Sequence, residues 1–191
     1  MTERMRRPAM TPPAVRTALA HGDNPADFLQ QHYQHVWLTR MHDMPFVNPA
    51  LAVETIGFER VDGDWLGVVV TPWFLNLFLV YGGGSLWRDT SAGQRSLVTL
   101  PCGVLEFIAD DDPDIGLYQY CPLIAPVSDV PDMATARQAA LDALQAVRTV
   151  PVVEPPEQSA AACAPETPAA AKAPGAQSPR RDFFRRLGGR G

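Results

Sequence analysis

His32 and His35 stand three residues apart, with His42 further along, a spacing that lets imidazoles on one helix face chelate a metal ion. No Cys-x-x-Cys accompanies them, and Cys102, Cys121 and Cys163 are far apart, so the donor set stays incomplete. Asp110-Asp111-Asp112-Pro113-Asp114 packs four carboxylates into one stretch but lacks the ligand spacing and distal Glu of a calcium loop. It reads as a solvated acidic turn, or as a surface for basic partners. Gly82-Gly83-Gly84 invites a phosphate, yet no Lys-Ser/Thr follows and no G-x-G-x-x-G opens a helix, which leaves a flexible hairpin connection. There is no Gly-x-Ser-x-Gly, and no cysteine has an activating neighbour pattern. Cys102 and Cys121 lie in strand-like segments and read as buried, reduced thiols, Cys163 as an exposed one. No catalytic residue, metal or cofactor is expected.

The elements that would position these residues follow from periodicity and punctuation. Asp23-Asn24-Pro25 starts a helix, and Phe28, Leu29, Tyr33, Val36, Trp37, Arg40 and Met41 recur at helical spacing, predicting a helix from about Pro25 to Asp43. Leu51 to Val61 alternates as a strand, Asp62-Gly63-Asp64 turns, and Trp65 to Val70 returns as its partner. Pro72 to Val80 fits either a buried helical turn or a third strand. Leu97 to Ile108 reads as one strand kinked near Pro101-Cys102-Gly103, and Gly116 to Ala125 as another. A second helix starts near Asp132 and ends before Pro151, with Met133, Ala136, Ala140, Leu141, Leu144 and Val147 on one face. Helix, antiparallel strands, helix predicts an α+β domain, with the antiparallel sheet packed with an N-terminal and a C-terminal helix in two layers between disordered tails.

Its 191 residues, 46% hydrophobic, suffice for one core. No apolar run reaches the roughly 20 residues needed to span a bilayer, and the start lacks a signal-peptide core, so a soluble cytoplasmic protein is expected. Residues 1–22 read as a disordered basic arm, 23–150 as the folded domain, 151–179 as a Pro/Ala-rich linker and 180–191 as a basic tail. The net charge of −5 conceals an asymmetry: residues 17–177 hold seven basic and nineteen acidic residues, while nine arginines sit in the two ends. An acidic body lacks the basic face of a nucleic-acid binder and favours basic partners or the chain's own tails.

Pro45-Phe46-Val47-Asn48-Pro49-Ala50-Leu51 and the run from Trp65 through Thr71-Pro72-Trp73-Phe74-Leu75-Asn76-Leu77 resemble the HybE family of nickel–iron hydrogenase assembly chaperones. So do Leu105-Glu106-Phe107-Ile108 and Gly116-Leu117-Tyr118-Gln119-Tyr120-Cys121-Pro122-Leu123, and the resemblance covers about Phe28 to Val147. Where many relatives read C-S-L-F-S-P, this chain has Cys121-Pro122-Leu123-Ile124-Ala125-Pro126. Some relatives carry a fused rubredoxin-like module, and its paired Cys-x-x-Cys ligands are missing here, so no iron site is implied. The resemblance implies a non-enzymatic role in hydrogenase maturation, acting on the precursor small subunit and holding back its twin-arginine export until assembly is complete. The large subunit and other maturation proteins are further implied partners.

A receptor for a twin-arginine segment needs carboxylates beside an apolar groove. Trp73, Phe74, Asn76, Trp87, Tyr118 and the acids Asp110, Asp111 and Asp112 are the expected partner-binding residues, with Phe78 a further aromatic; the aromatics either line such a groove or fill the core. The tail Arg180-Arg181-Asp182-Phe183-Phe184-Arg185 resembles the export motif R-R-x-F-L-K at the opposite end of the chain. Arg180, Arg181, Phe183 and Phe184 then serve as a decoy for the acidic groove, as a transient membrane contact, or as a solubilising tail. A thiol-based redox accessory protein and a membrane-docked adaptor are the contrasting functions.

Overall fold

The computed structural model describes residues 15–149. Helix α1 (Ala26–Val36) begins where the Asn24 side chain accepts from the Ala26 N–H at 3.0 Å. Its last turn loosens into a π-helical segment, Trp37–Met41, closed by the His42 N–H bonding to the Trp37 carbonyl. Six strands follow: β1 (Glu54–Val61), β2 (Asp64–Val70), β3 (Leu75–Val80), β4 (Arg95–Leu100), β5 (Gly103–Asp112) and β6 (Gly116–Ile124). A short 3₁₀ turn at Val127–Asp129 leads to α2 (Met133–Arg148), whose N-cap Asp132 accepts from the Thr135 N–H at 2.8 Å.

The sheet order is β1-β2-β3-β6-β5-β4, with every described pairing antiparallel. The α+β class expected from the sequence is the one found. The expected two layers become three at one end of the sheet, because period-2 alternation gives β2 and β3 two apolar faces and each face takes one helix. Leu29 and Tyr33 of α1 pack with Trp65, Val69, Phe78 and Val80. Ala136, Ala140, Ala143, Leu144 and Val147 of α2 pack with Leu66, Val68, Leu75 and Leu77 on the other face. Two Arg–Glu pairs, Arg137–Glu54 and Arg148–Glu59, both at 2.8 Å, tie α2 to β1.

Several expectations change in detail. Pro72 to Val80 resolves into a tight turn closed by Thr71, whose Oγ1 accepts from the Phe74 N–H at 2.9 Å, followed by β3. The single kinked strand over Leu97 to Ile108 is a hairpin, since Leu100 pairs with Gly103 and the chain reverses at Pro101-Cys102. Cys102 therefore sits in a turn, partly exposed rather than buried in a strand, while Cys121 is buried in β6 as expected. Asp110, Asp111 and Asp112 belong to β5 rather than to a turn. The triple-glycine segment does not join neighbouring strands: β3 pairs with β6 and β4 with β5, so residues 81–94 cross over the sheet. That crossover is wrapped around one carboxylate. Asp64, wholly buried, accepts from the N–H groups of Gly82, Gly84, Leu86 and Trp87, each at 2.9 Å.

Residues 15–22, read above as part of a disordered arm, lie on the domain. Ala18 is in the core, the His21 N–H bonds to the Tyr81 carbonyl at 2.8 Å, and Arg16 pairs with Asp111. The rest of that arm, the linker and the tail with Arg180, Arg181, Phe183 and Phe184 lie outside the described residues.

Candidate functional site

Helix α1 covers only one end of its sheet face. Beyond it, the same face of β3, β6, β5 and β4 carries the cross-strand ladder Phe78–Tyr120–Ile108–Arg95, with Tyr118 beside Asp110 and Leu97 opposite Glu106. Period-2 alternation puts Asn76 and Phe78, and likewise Tyr118 and Tyr120, on one face. Where this open face meets α1 and the β2–β3 turn, a groove of about 340 Å³ forms. Tyr33, Trp73, Phe74, Asn76, Asp110 and Tyr118 line it, and Pro122 with the run Ile124 to Val127 closes one side.

The walls are aromatic and interlocked. Phe78 stacks on Tyr118 with centroids 5.1 Å apart and planes 3° from parallel, and Tyr33 meets Phe74 edge-on at 5.2 Å. Trp37, placed by the π-helical segment, stacks on Trp73 at 6.2 Å. Polar groups are few. The Tyr118 hydroxyl donates to Asp110 Oδ2 at 2.9 Å, and the Asp111 N–H to Asp110 Oδ1 at 2.9 Å. Burial pushes the Tyr118 phenol well above its ordinary range, with neighbouring Tyr33 and Asp110 adding to the shift. Burial likewise raises Tyr33, and Tyr120 to a lesser extent. Asn76 is 7% exposed, and its amide has no hydrogen-bond partner among the described residues.

Five of the expected residues thus converge: Trp73, Phe74, Asn76, Asp110 and Tyr118. Three do not. Trp87 lies on the opposite face, 7% exposed in the α2-side core, with its indole N–H donating to Asp89 at 2.8 Å. Asp111 points away from Asp110 by strand alternation and is taken by Arg16. Asp112 faces His32, 3.7 Å away, and with Asp114 makes a three-residue group whose donor atoms lie within 4.8 Å of one another. His35, expected as His32's companion, is exposed and does not belong to that group. Tyr33, Trp37 and Tyr120 went unlisted as site residues. The i, i+2 repeat of Tyr118 and Tyr120 was the available signal for the last. Trp37 carried none, since its place depends on the π-helical turn.

The groove thus sets the carboxylate of Asp110 among aromatic walls. The model of the [NiFe]-hydrogenase assembly chaperone family HybE matches residues 24–186, and the chain belongs to that family. It is a family of assembly chaperones rather than of enzymes. Protein HoxT of Cupriavidus necator is 34% identical over 140 residues, covering 64% of this chain and 75% of that one. The hydrogenase expression/formation protein HupT of Azotobacter chroococcum mcd 1 is 36% identical over 126 residues, covering 62% and 78%. The solution structure of HybE from Escherichia coli superposes with a TM-score of 0.56 at 23% identity, over 82% of this chain and 96% of that chain, a likeness of fold. Among the described residues no helix is long and apolar enough to cross a membrane.

Proposed function

We propose that this chaperone holds the precursor small subunit of a nickel–iron hydrogenase by its twin-arginine segment, in the cytoplasm, and delays export until assembly is complete. The observation that carries the reading is the convergence of Trp73, Phe74, Asn76, Asp110 and Tyr118 in one groove. A guanidinium of the client pairs with Asp110, which keeps its Tyr118 hydrogen bond on one oxygen and has lone pairs to spare. The apolar residue that follows the arginine pair lies against Trp73 and Phe74, and the Asn76 amide bonds the client backbone. The chaperone works by binding alone, with no cofactor of its own; residues 23–150 act as the binding unit, and 151–179 as a tether for the tail. The large subunit reaches it only as part of the assembling complex.

The test is titration calorimetry of the full chain with a synthetic peptide carrying Arg-Arg-x-Phe-Leu-Lys followed by an apolar stretch. Binding that is lost with the Lys-Lys version of the peptide and weakened by Asp110→Asn supports the reading. Equal binding of both peptides, or indifference to Asp110→Asn, overturns it. Against the contrasting thiol-redox function, burial raises the Cys102 thiol rather than lowering it; Cys163 lies outside the described residues.

A further inference from the structure

The groove matches a second occupant that needs no client. Of the carboxylates on the outer strands, Glu106 pairs with Arg95, Asp111 with Arg16 and Asp112 approaches His32, whereas Asp110 has no ion pair among the described residues. Beside it lie the open Asn76 amide and the partly exposed rings of Trp73, Phe74 and Tyr120. The sheet face beyond exposes Leu97 (71%) and Val104 (44%) beside the Arg95–Glu106 pair. The features wanted of an occupant are therefore a cation, flat or apolar side chains directly after it, and an extended backbone.

One segment of the chain offers all three. Residues 178–191 contain five arginines against a single acid, and Phe183, Phe184 and Leu187 lie within Arg180-Arg181-Asp182-Phe183-Phe184-Arg185-Arg186-Leu187. We propose that this segment docks in the groove of its own chain, its arginine pair on Asp110 and its phenylalanines on the Trp73–Phe74 wall. Residues 150–179 make the connection. Thirty residues can reach at most about 100 Å, well beyond the diameter of such a domain, so the segment is long enough to arrive at the groove. The effective concentration of the tail at the groove is then on the order of millimolar, so a weak contact suffices for partial occupancy. The family match runs to residue 186 and so extends into the segment. Docking stands on the groove alone. Its consequence, that the tail must be displaced before a client binds, rests on the function proposed above.

The experiment compares amide and indole proton–nitrogen spectra of the full chain with those of the full-length double variant Arg180→Gln/Arg181→Gln, and of Phe183→Ala/Phe184→Ala. These substitutions leave residues 15–149 untouched. Docking predicts changed resonances at Asn76, Tyr118, Tyr120 and the Trp73 indole in both variants, unaltered on dilution. Spectra identical at the groove overturn the proposal. Changes that fade on dilution together with a dimer in sedimentation also overturn it, since the tail then enters a second copy. Groove resonances that stay unchanged while anionic phosphatidylglycerol vesicles bind the full chain, and not the Arg variant, assign the tail to membrane instead. A fluorescent twin-arginine peptide then separates the two proposals. Binding about 3–10-fold tighter to the Arg variant supports displacement at one shared groove. Tail-dependent shifts without any peptide binding uphold the docking and sink the client reading; tail-dependent shifts with equal peptide affinity overturn the shared groove.

Discussion

Asp110 and Tyr118 carry the sharpest expectations at the residue scale. Replacing Asp110 with Asn keeps its shape and an acceptor for the Tyr118 hydroxyl but removes the charge that a client guanidinium meets. Affinity for a twin-arginine peptide should fall about 10–100-fold, the range of a charge-assisted hydrogen bond, with the thermal midpoint little changed; calorimetry and a melt on one sample decide it. The buried phenols give a pH signature. Tyr33 and Tyr118 are both raised above the 10.0 of an unfolded tyrosine, so above that pH the unfolded chain loses its phenolic protons first. Their contribution is complete below about pH 10 and falls away as the pH climbs. The urea midpoint should drop as the pH rises from about 10 upward, and the double variant Tyr33→Phe/Tyr118→Phe should flatten that limb.

Between single residues and the whole lie the devices that join elements. Asp64 links the start of β2 to the crossover through four backbone N–H groups, so Asp64→Ala leaves four donors, one buried and three partly buried, without their acceptor. The expected loss is about 3–5 kcal/mol in urea unfolding, with Asp64→Asn between the two. Gly57 is the second device. It sits in the bulge of β1 with φ +62°, and a Cβ there would meet Leu144 Cδ1 at 2.5 Å. Gly57→Ala combines left-handed strain with a clash against α2 and should cost about 2–3 kcal/mol, whereas Leu144→Ala in the same background should return part of it. Both devices explain what could and could not be read in advance. Helix α2 was legible because Asp132 caps it and its small apolar residues recur with the helical period. The β1–β2 hairpin was legible because Asp62-Gly63 marks its turn, with φ of 48° and 89°. The role of Asp64 was hidden, because a carboxylate next to a turn is ordinary in a sequence and only the crossover brings the four donors to it.

For the whole molecule the decisive fact is strand order. Local signals marked β1, β2 and β6, left β3 open between a helical turn and a strand, and merged β4 and β5 into one kinked strand, while the residue types themselves offered Asn76, Tyr118 and Asp110 as candidates. They could not give the pairing of β3 with β6, which lie about 40 residues apart in the chain and which set Phe78 against Tyr120. Trp87 was misplaced for the same reason: without the crossover its face of the sheet is undetermined. At this scale the binding reading also predicts a salt dependence. The groove's acid and the client's arginines are partly solvated, so affinity should weaken steadily as ionic strength rises past the roughly 8 Å screening length of physiological salt. A remainder should persist at high salt, carried by the aromatic walls. A peptide titration across salt concentrations checks both halves of that expectation.

The order β1-β2-β3-β6-β5-β4 divides the sheet into two meanders, each built from neighbours in the chain, joined along the single β3–β6 seam. Each meander needs only short loop closures, while the seam must close a long one. Truncations such as Val69→Ala within a meander should then slow folding, and Leu77→Ala on the seam should act mainly on unfolding, a difference readable as φ-values. The groove floor straddles that seam, with Phe78 and Asn76 from one meander and Tyr118 and Asp110 from the other. If the proposed groove is the client's seat, the chaperone would acquire its grip only when that seam closes, and a bound client, by spanning the join, would hold the two halves of its holder together.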